Sequence, residues 1–186
     1  LYQYRLHPSQ LLQPAPAVEL ASNHPNHVWQ IDASLSTQFY LADKLESMPR
    51  AEFYKNKPEN FKRIERLRLW RYVITDHTSG SLYVEYVLGA ESSANICNVL
   101  INAMQKRGET DPFCGVPFII MTDPGAAMTS SMFRNLCRSL SIKLIINKVG
   151  NARAKGQVEQ AHNIVENEFE SGLTLQERSS NLDQIN

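Results

Sequence analysis

The sequence is poor in cysteine and has no excess of charge of either sign. Its three cysteines, Cys97, Cys114 and Cys137, are far apart in the 186 residues, which argues against a disulfide framework or a cysteine zinc site. The 19 basic residues balance the 19 acidic ones, whereas a protein that binds nucleic acid over a broad surface is usually basic. Any attraction to nucleic acid must therefore come from local patches.

Long apolar runs are also missing. No stretch approaches the roughly 20 apolar residues of a membrane-spanning helix, and the first residues do not form a secretory signal. We therefore expect a protein of the reducing cytoplasm with no membrane partner. Because the chain begins with Leu1 rather than methionine, we also expect it to be part of a longer protein with further domains.

Hydrophobic periodicity predicts an alternating fold. The apolar pattern predicts strands at 28–35, 69–75, 82–88, 117–122 and 142–146, and helices at 91–107, 127–140 and 154–170. The segment DHTSGS is typical of a turn, so the second and third strands should form a hairpin. This order predicts an α/β fold with a mixed five-stranded sheet, in which three antiparallel strands are followed by parallel ones, flanked by helices.

The composition also divides the chain into segments. Residues 1–26 are rich in proline and predict an arm or linker, and residues 27–173 hold the periodic core. Residues 43–68 are polar and charged and predict an insertion between the first two strands. Residues 174–186 predict a C-terminal tail that frays.

Three acids occupy positions that favour a shared site. Asp32 lies on the polar side of the first strand, Asp123 follows the end of a buried strand, and Glu159 borders the apolar stripe of the last helix. Ligands bind at such strand ends in open α/β sheets. A cluster of carboxylates is costly unless a cation neutralises it, and hard oxygen ligands suit Mg²⁺ or Mn²⁺. Either aspartate alone is more often a cap or a surface group, whereas the three acids together would suit a divalent metal site.

Three motifs carry a resemblance to a known family. The segments VWQIDAS, MTDPGAAMTSSMF and NARAKGQVEQAHNIVE resemble the catalytic core of retroviral-type integrases and bacterial DDE transposases, over residues 27–173. In that family two aspartates and a glutamate hold the metal ions, often with 35 residues between the second and third acid. Asp123 and Glu159 have that separation (residues 124 to 158), and Asp32 is the matching first acid.

The resemblance implies a function as well as a fold. It implies an RNase H-like fold, a pair of Mg²⁺ or Mn²⁺ ions bound by Asp32, Asp123 and Glu159, and cleavage and joining of DNA strands. It also implies element ends and target DNA as partners, a homo-oligomer on DNA, and a bacterial cytoplasmic setting. The alternatives are an RNase H-like nuclease that only hydrolyses, and a non-catalytic subunit that binds DNA or assists assembly.

The first acid is the point at which this sequence departs from the retroviral members. The separation between Asp32 and Asp123 is longer than theirs, and the insertion at 43–68 would account for it. Asp76 is a rival at a shorter distance from Asp123. We prefer Asp32 because it lies within a strand, whereas Asp76 opens a turn, where aspartate is common for local backbone reasons.

Several polar residues are candidates for contacts with DNA phosphates. Arg153 and Lys155 precede Glu159 in a small-residue loop, and His162 and Asn163 follow it. Each could equally be a solvated surface group. A basic stretch in the predicted insertion could line one side of a helix, and its members are Lys62, Arg63, Arg66 and Arg68.

Overall fold

The computed structural model describes residues 21–41, 45–47, 68–147, 156–172 and 182–186. Within these ranges the strands form one mixed sheet with the order β4-β3-β1-β5-β6, and the short β2 pairs with β1. The strands are β1 Val28–Leu41, β2 Leu45–Ser47, β3 Arg68–Asp76, β4 Leu82–Leu88, β5 Ile119–Thr122 and β6 Lys143–Ile146. The five strands of the main order confirm the predicted sheet, with three antiparallel strands followed by two parallel pairings.

The helices confirm the alternating second half of the chain. They are α1 Ser93–Met104, α2 Ser131–Ser139, α3 Gly156–Ile164 with a π-helical continuation Val165–Glu170, and α4 Leu182–Ile185. The first two begin later than periodicity predicts, because serine side chains cap them. Ser92 accepts a hydrogen bond from the backbone N–H of Asn95, and Ser130 accepts one from Phe133.

One face of the sheet carries the main core. Trp29 and Ile31 of β1 project onto α1 and α2, together with Tyr72 of β3 and Ile120 of β5. All four side chains are fully buried. The predicted alternation of β1 is thereby confirmed, since its odd-numbered residues face the core. The even-numbered residues, including Asp32, face the opposite side of the sheet.

The opposite face is covered by α3. Val158 and Ala161 pack against Val73 of β3, and burial of this kind stabilises by roughly 1.5–3 kcal/mol per large aliphatic side chain. The sheet therefore has helices on both faces. The helix that bears Glu159 lies on the face of β1 to which Asp32 projects.

The π-helical turn shifts the buried stripe of this helix. Periodicity predicts Val165 and Phe169 as buried, but Phe169 is 41% exposed and Glu170 is 1% exposed. The backbone N–H of Ser171 bonds to the carbonyl of Glu166, which is an i to i+5 bond and adds a residue to the turn. The prediction for Phe169 is therefore wrong, because the wider turn places Glu170 one turn after Val165.

The predicted segment boundaries are only partly covered by the described residues. The segment predicted as an insertion contains β2, and Arg68 begins β3 rather than lying in a helix. The helix expected around Lys62, Arg63 and Arg66 lies outside the described residues, as does most of the arm. In the tail, Asn186 exchanges two hydrogen bonds with the backbone of Tyr86, at 2.7 and 3.0 Å.

No helix among the described residues is both long enough and apolar enough to cross a bilayer.

Candidate active site

The pairing of two parallel strands ends just before Asp32 and Asp123. Val28, Trp29 and Gln30 of β1 pair with Ile119, Ile120 and Met121 of β5. Asp123 directly follows the end of β5, and continuing the register by two residues would bring it beside Asp32. Paired residues project to the same face of a sheet, so this continuation predicts that the two carboxylates share one face.

Two anchors fix the start of α3 on that face. The backbone N–H of Val158 donates to Oε1 of Gln30 at 3.3 Å, and the Gln157 amide donates to the carbonyl of Asp76 at 3.1 Å. Four residues later His162 reaches Asp32. Glu159 thus lies on the helix between Val158, which bonds to Gln30, and His162, which contacts Asp32. The side chain of Glu159 is exposed.

His162 connects α3 to Asp32. Its Nε2 lies 3.5 Å from Oδ2 of Asp32, and its Nδ1 lies 3.1 Å from the hydroxyl of Ser34, two residues further along β1. The histidine is only 8% exposed. The alternative of a solvated surface histidine is therefore wrong, and a contact between His162 and DNA stays a prediction. Sequence analysis does not find Ser34, because a serine within a strand gives no signal.

Behind His162 lies a buried group of charged and polar side chains. Arg71 donates from Nε to Nδ1 of His162 at 3.2 Å and from Nη1 to Glu170 at 2.8 Å. Tyr86 donates its hydroxyl proton to the same Glu170 oxygen at 2.9 Å. Burial raises the pKa of Glu170, while the charge of Arg71 and the bond from Tyr86 act in the opposite direction. Arg71 and Glu170 are both buried, so each neutralises a charge that would otherwise be costly.

Glu91 is a fourth acid near the site, and sequence analysis missed it. Burial and the neighbouring charge of Asp32 raise the pKa of its carboxyl group. Its Oε1 lies 3.6 Å from the position that a Cβ atom on Gly125 would occupy, so Glu91 borders the turn after Asp123. The loop residue before a helix cap carries no chemical signature, and only the tertiary structure places it here.

Asp76, the rival first acid, has a structural role. It accepts hydrogen bonds from the backbone of Asn26, Thr78 and Ser79 and from the side chains of Trp29 and Ser79. Burial raises its pKa, but these donors outweigh burial and hold the pKa of Asp76 below its usual range. Asp76 pairs with Trp29, three residues before Asp32 on β1, or roughly 10 Å along the strand. This geometry favours Asp32 as the first acid.

The remaining predicted contacts are divided between described and undescribed residues. Asn163 is exposed on α3, directly after His162. Arg153 and Lys155 lie outside the described residues, in the segment that precedes α3. The structure therefore places Asn163 at the surface beside the acids and leaves the two basic residues as predictions.

The donor set fits a hard divalent cation. Asp32 is 29% exposed and Asp123 is exposed, so water molecules could complete the coordination that Mg²⁺ requires. Among the described residues, no three His, Cys, Asp or Glu side chains are grouped closely enough to hold an ion. Convergence of Glu159 with the two aspartates stays a prediction.

Comparison with protein families gives a match to more than half of the chain. The TnsB C-terminal domain model matches residues 59–174, a range that includes Asp123, Glu159 and the buried Arg71. The chain belongs to the TnsB C-terminal domain family. The matched range begins after Asp32, so the assignment of the first acid depends on the strand register.

A curated relative extends the similarity to most of the chain. The transposase for transposon Tn552 of Staphylococcus aureus is 27% identical over 150 residues, which cover 80% of this chain. The chain spans 27% of the length of that relative. Together with the family match, this similarity confirms the resemblance to DDE-type transposases and integrases.

Solved structures confirm the fold. A chain of the simian T-cell lymphotropic virus intasome in complex with the PP2A regulatory subunit B56 gamma has a TM-score of 0.62 at 21% identity, covering 92% of this chain and 51% of that one. The HTLV-2 integrase catalytic core domain with magnesium, in a dimeric form, has a TM-score of 0.57 at 23% identity, covering 87% and 81%. The fold is thus the RNase H-like fold of integrase catalytic cores.

Proposed function

We propose that this chain is the catalytic core of a DNA transposase or integrase that cleaves and joins DNA strands. Its cofactors are Mg²⁺ or Mn²⁺, two ions held by Asp32, Asp123 and Glu159. The observation that supports the proposal is the β1–β5 register, whose continuation would bring Asp32 beside Asp123, while the helix bearing Glu159 packs on β1 and β3. The similarity to a transposase and to an integrase catalytic core solved with magnesium supports the same reaction.

Each acid has a distinct part in this proposal. Asp32 lies within β1 and Asp123 directly follows β5, so the two would provide ligand oxygens from a rigid sheet. Glu159 lies in the first turn of α3 and would be the third ligand. Bound ions of this kind activate an attacking oxygen and stabilise the leaving oxygen of a phosphodiester. No covalent link between protein and DNA is required.

The reaction has two chemically similar steps. Water attacks a phosphodiester at the end of the element, and the bond to the 3′ oxygen breaks to leave a 3′-hydroxyl. That hydroxyl then attacks a phosphodiester of the target, forming one bond to phosphorus as another breaks. The chain positions both DNA strands against the acids, in an oligomer on DNA in the bacterial cytoplasm. Further domains of a longer protein would bind the element ends.

Polar and basic side chains bind the DNA backbone in this proposal. Asn163 is exposed beside His162 on α3, and it would contact phosphate oxygens. The predicted basic contacts are Arg153, Lys155, Lys62, Arg63, Arg66 and Arg68. Each phosphate contact adds nearly one unit to the slope of log K against log salt. Replacing Lys62, Arg63, Arg66 and Arg68 together with alanine should flatten that slope by up to about four units, and an unchanged slope would contradict these contacts.

A branched DNA duplex that mimics the joined product provides a test of the chemistry. The reverse of strand joining uses the same acids, and a preassembled branch reduces the need for separate end-binding domains. We expect Mn²⁺-dependent resolution of the branch by the wild-type chain and none by Asp32→Asn or Asp123→Asn. Mn²⁺ binding without resolution of the branch would contradict strand transfer by this core.

The same assay separates the alternatives. A nuclease that only hydrolyses would release cut strands without forming a resealed strand. A non-catalytic DNA-binding subunit would bind the branch without dependence on Mn²⁺, and Asp32→Asn would leave its binding and products unchanged. Resealed product that depends on Asp32 therefore supports the proposed reaction over both.

A further inference from the structure

Arg71 and His162 form a buried connection that ends at the first acid of the site. Arg71 is 4% exposed and His162 is 8% exposed, so both belong to the protein interior. Arg71 lies on β3 and His162 on α3, and the ring of His162 lies between the guanidinium and Asp32. Two elements of different sequence regions thus converge on one carboxylate.

The direction of the hydrogen bond determines where the histidine ring carries its proton. An arginine guanidinium has only donors, so a hydrogen bond from Nε of Arg71 to Nδ1 of His162 at 3.2 Å requires Nδ1 to accept, and the hydroxyl of Ser34 at 3.3 Å is the other acceptor within reach of Nε. The ring proton then lies on Nε2, the atom that faces Oδ2 of Asp32 at 3.5 Å. At that distance the contact is electrostatic, and a small rotation of either side chain would give a normal hydrogen bond.

We propose that Arg71 and His162 are positioning residues. Arg71 holds His162 in the Nε2–H tautomer, and His162 orients the Asp32 carboxylate to bind a divalent cation. The inference rests on the proposed function, because it concerns Asp32 as a metal ligand. Partners that orient a ligand in this way commonly affect metal affinity by about ten- to a hundredfold.

Three further contacts keep the arginine in place. Glu170 accepts from Nη1 at 2.8 Å, and Glu166 lies 3.6 Å from Nη2. Ser34 accepts from Nη2 at 3.1 Å, which ties the guanidinium to the same strand as Asp32. The π-helical turn is what places Glu170 in the interior opposite Arg71. Irregular turns of this type occur frequently at functional sites.

A matched pair of amide substitutions separates orientation from simple packing. In glutamine the amide nitrogen is as many bonds from Cβ as Nε2 of histidine, so His162→Gln retains a donor toward Asp32. In asparagine the amide nitrogen corresponds to Nδ1, so His162→Asn cannot reach Asp32. Ser34 remains as an acceptor for Arg71 in both variants.

The first measurement is Mn²⁺ affinity of the 186-residue chain by titration calorimetry, with melting temperature measured in parallel. We expect His162→Asn to weaken Mn²⁺ binding about tenfold or more, and His162→Gln to restore most of the affinity. Equal affinity in His162→Asn and wild type would overturn the positioning role. Equal weakening in both variants with a lowered melting temperature would also overturn it, since that result indicates a packing role.

The second measurement is the tautomer of His162 by nitrogen-15 NMR, which requires neither metal nor activity. We expect the Nε2–H form in the wild type and a larger share of the Nδ1–H form in Arg71→Lys, which keeps the charge opposite Glu170. Tyr86→Phe is the control, because it loses a bond to Glu170 but leaves the contact between Arg71 and His162. A wild-type ring in the Nδ1–H form would overturn the proposal.

The two measurements also separate this inference from the proposed function. If the wild-type chain binds no Mn²⁺, the proposed function fails and the positioning role fails with it. If the wild-type chain binds Mn²⁺ and Asp32→Asn does not, while His162→Asn binds as the wild type does, only the positioning role fails.

Discussion

Asp76 and Asp32 lie on neighbouring strands, and their surroundings differ in kind. Asp76 is buried and accepts hydrogen bonds from two side chains and three backbone N–H groups. The Asp32 side chain is 29% exposed and lies beside His162. Burial and the charge of Asp32 together raise the pKa of the neighbouring Glu91. The Asp76 carboxylate is stabilised by hydrogen-bond donors of the fold, whereas the Asp32 carboxylate lies close enough to another acid to affect its pKa.

This difference explains why one acid serves stability and the other suits a cation. Donors around a buried carboxylate favour its charged form and thereby stabilise the native state. Carboxylates that crowd one another destabilise the native state until a cation binds. Loss of Asp76 should therefore affect folding, and loss of Asp32 or Asp123 should affect metal binding.

The largest effect should come from Asp123→Asn. The amide removes the negative charge that attracts the ion, so we expect Mn²⁺ affinity to fall by more than about a hundredfold, beyond the usual effect of an outer-shell residue. Asp123 is exposed, so the free energy of unfolding should change by less than about 0.5 kcal/mol. Titration calorimetry and urea unfolding measure the two quantities. Glu109→Gln, which neutralises another exposed acid, is the control, and equal Mn²⁺ affinity in both variants would break the comparison.

Glu159→Gln should remove strand joining and preserve the fold. The two side chains have nearly the same size, and Glu159 is exposed in the first turn of α3. Loss of mutual repulsion should leave the melting temperature of the metal-free protein unchanged or slightly higher. The branched-duplex assay measures joining, and Glu168→Gln on the same helical segment is the control. Joining at the wild-type rate would exclude Glu159 from the metal site.

The sequence carries enough information to predict the five strands of the main sheet, the hairpin and the two faces of β1. Alternation places Trp29 and Ile31 in the core and Asp32 on the other side, because each strand residue reverses the direction of the side chain. The position of Asp123 follows from its place at the end of a buried strand. These are local patterns, and the structure confirms the strands and faces that they predict.

Other features depend on contacts that a local pattern does not contain. The π-helical turn exchanges Phe169 for Glu170 in the interior, because a buried Arg71 from β3 provides a partner for the carboxylate. Glu91 approaches Asp32 only when the loop after β4 folds against the turn at Gly125. Hydrophobic periodicity describes one helix or strand at a time, so it does not predict such contacts between distant segments.

Asp76→Asn should show the reverse pattern of effects. The asparagine NH₂ group would face the N–H donors that now point at the carboxylate, so we expect a loss of about 1–3 kcal/mol in the free energy of unfolding. Mn²⁺ affinity should stay within about twofold of the wild type, because Asp76 lies roughly 10 Å along the strands from Asp32. A parallel loss of Mn²⁺ affinity and stability would show that the surroundings of Asp76 and Asp32 are not independent.

The smallest and most specific effect concerns pH. Burial acts to raise the pKa of Asp76, but its hydrogen-bond donors outweigh burial and hold the folded-state pKa below its usual range. A carboxylate of this type stabilises the fold above its unfolded pKa of about 3.9, and that contribution is lost as pH falls through the lower folded value. The stability difference between wild type and Asp76→Asn should therefore be constant from about pH 7 to pH 5 and shrink below about pH 4.

Urea unfolding at each pH measures the difference, with Glu109→Gln as the exposed control. A difference that persists undiminished to about pH 2 would mean that the asparagine acts through altered packing rather than through lost charge, because a protonated Asp76 and an asparagine are similar in size and both neutral.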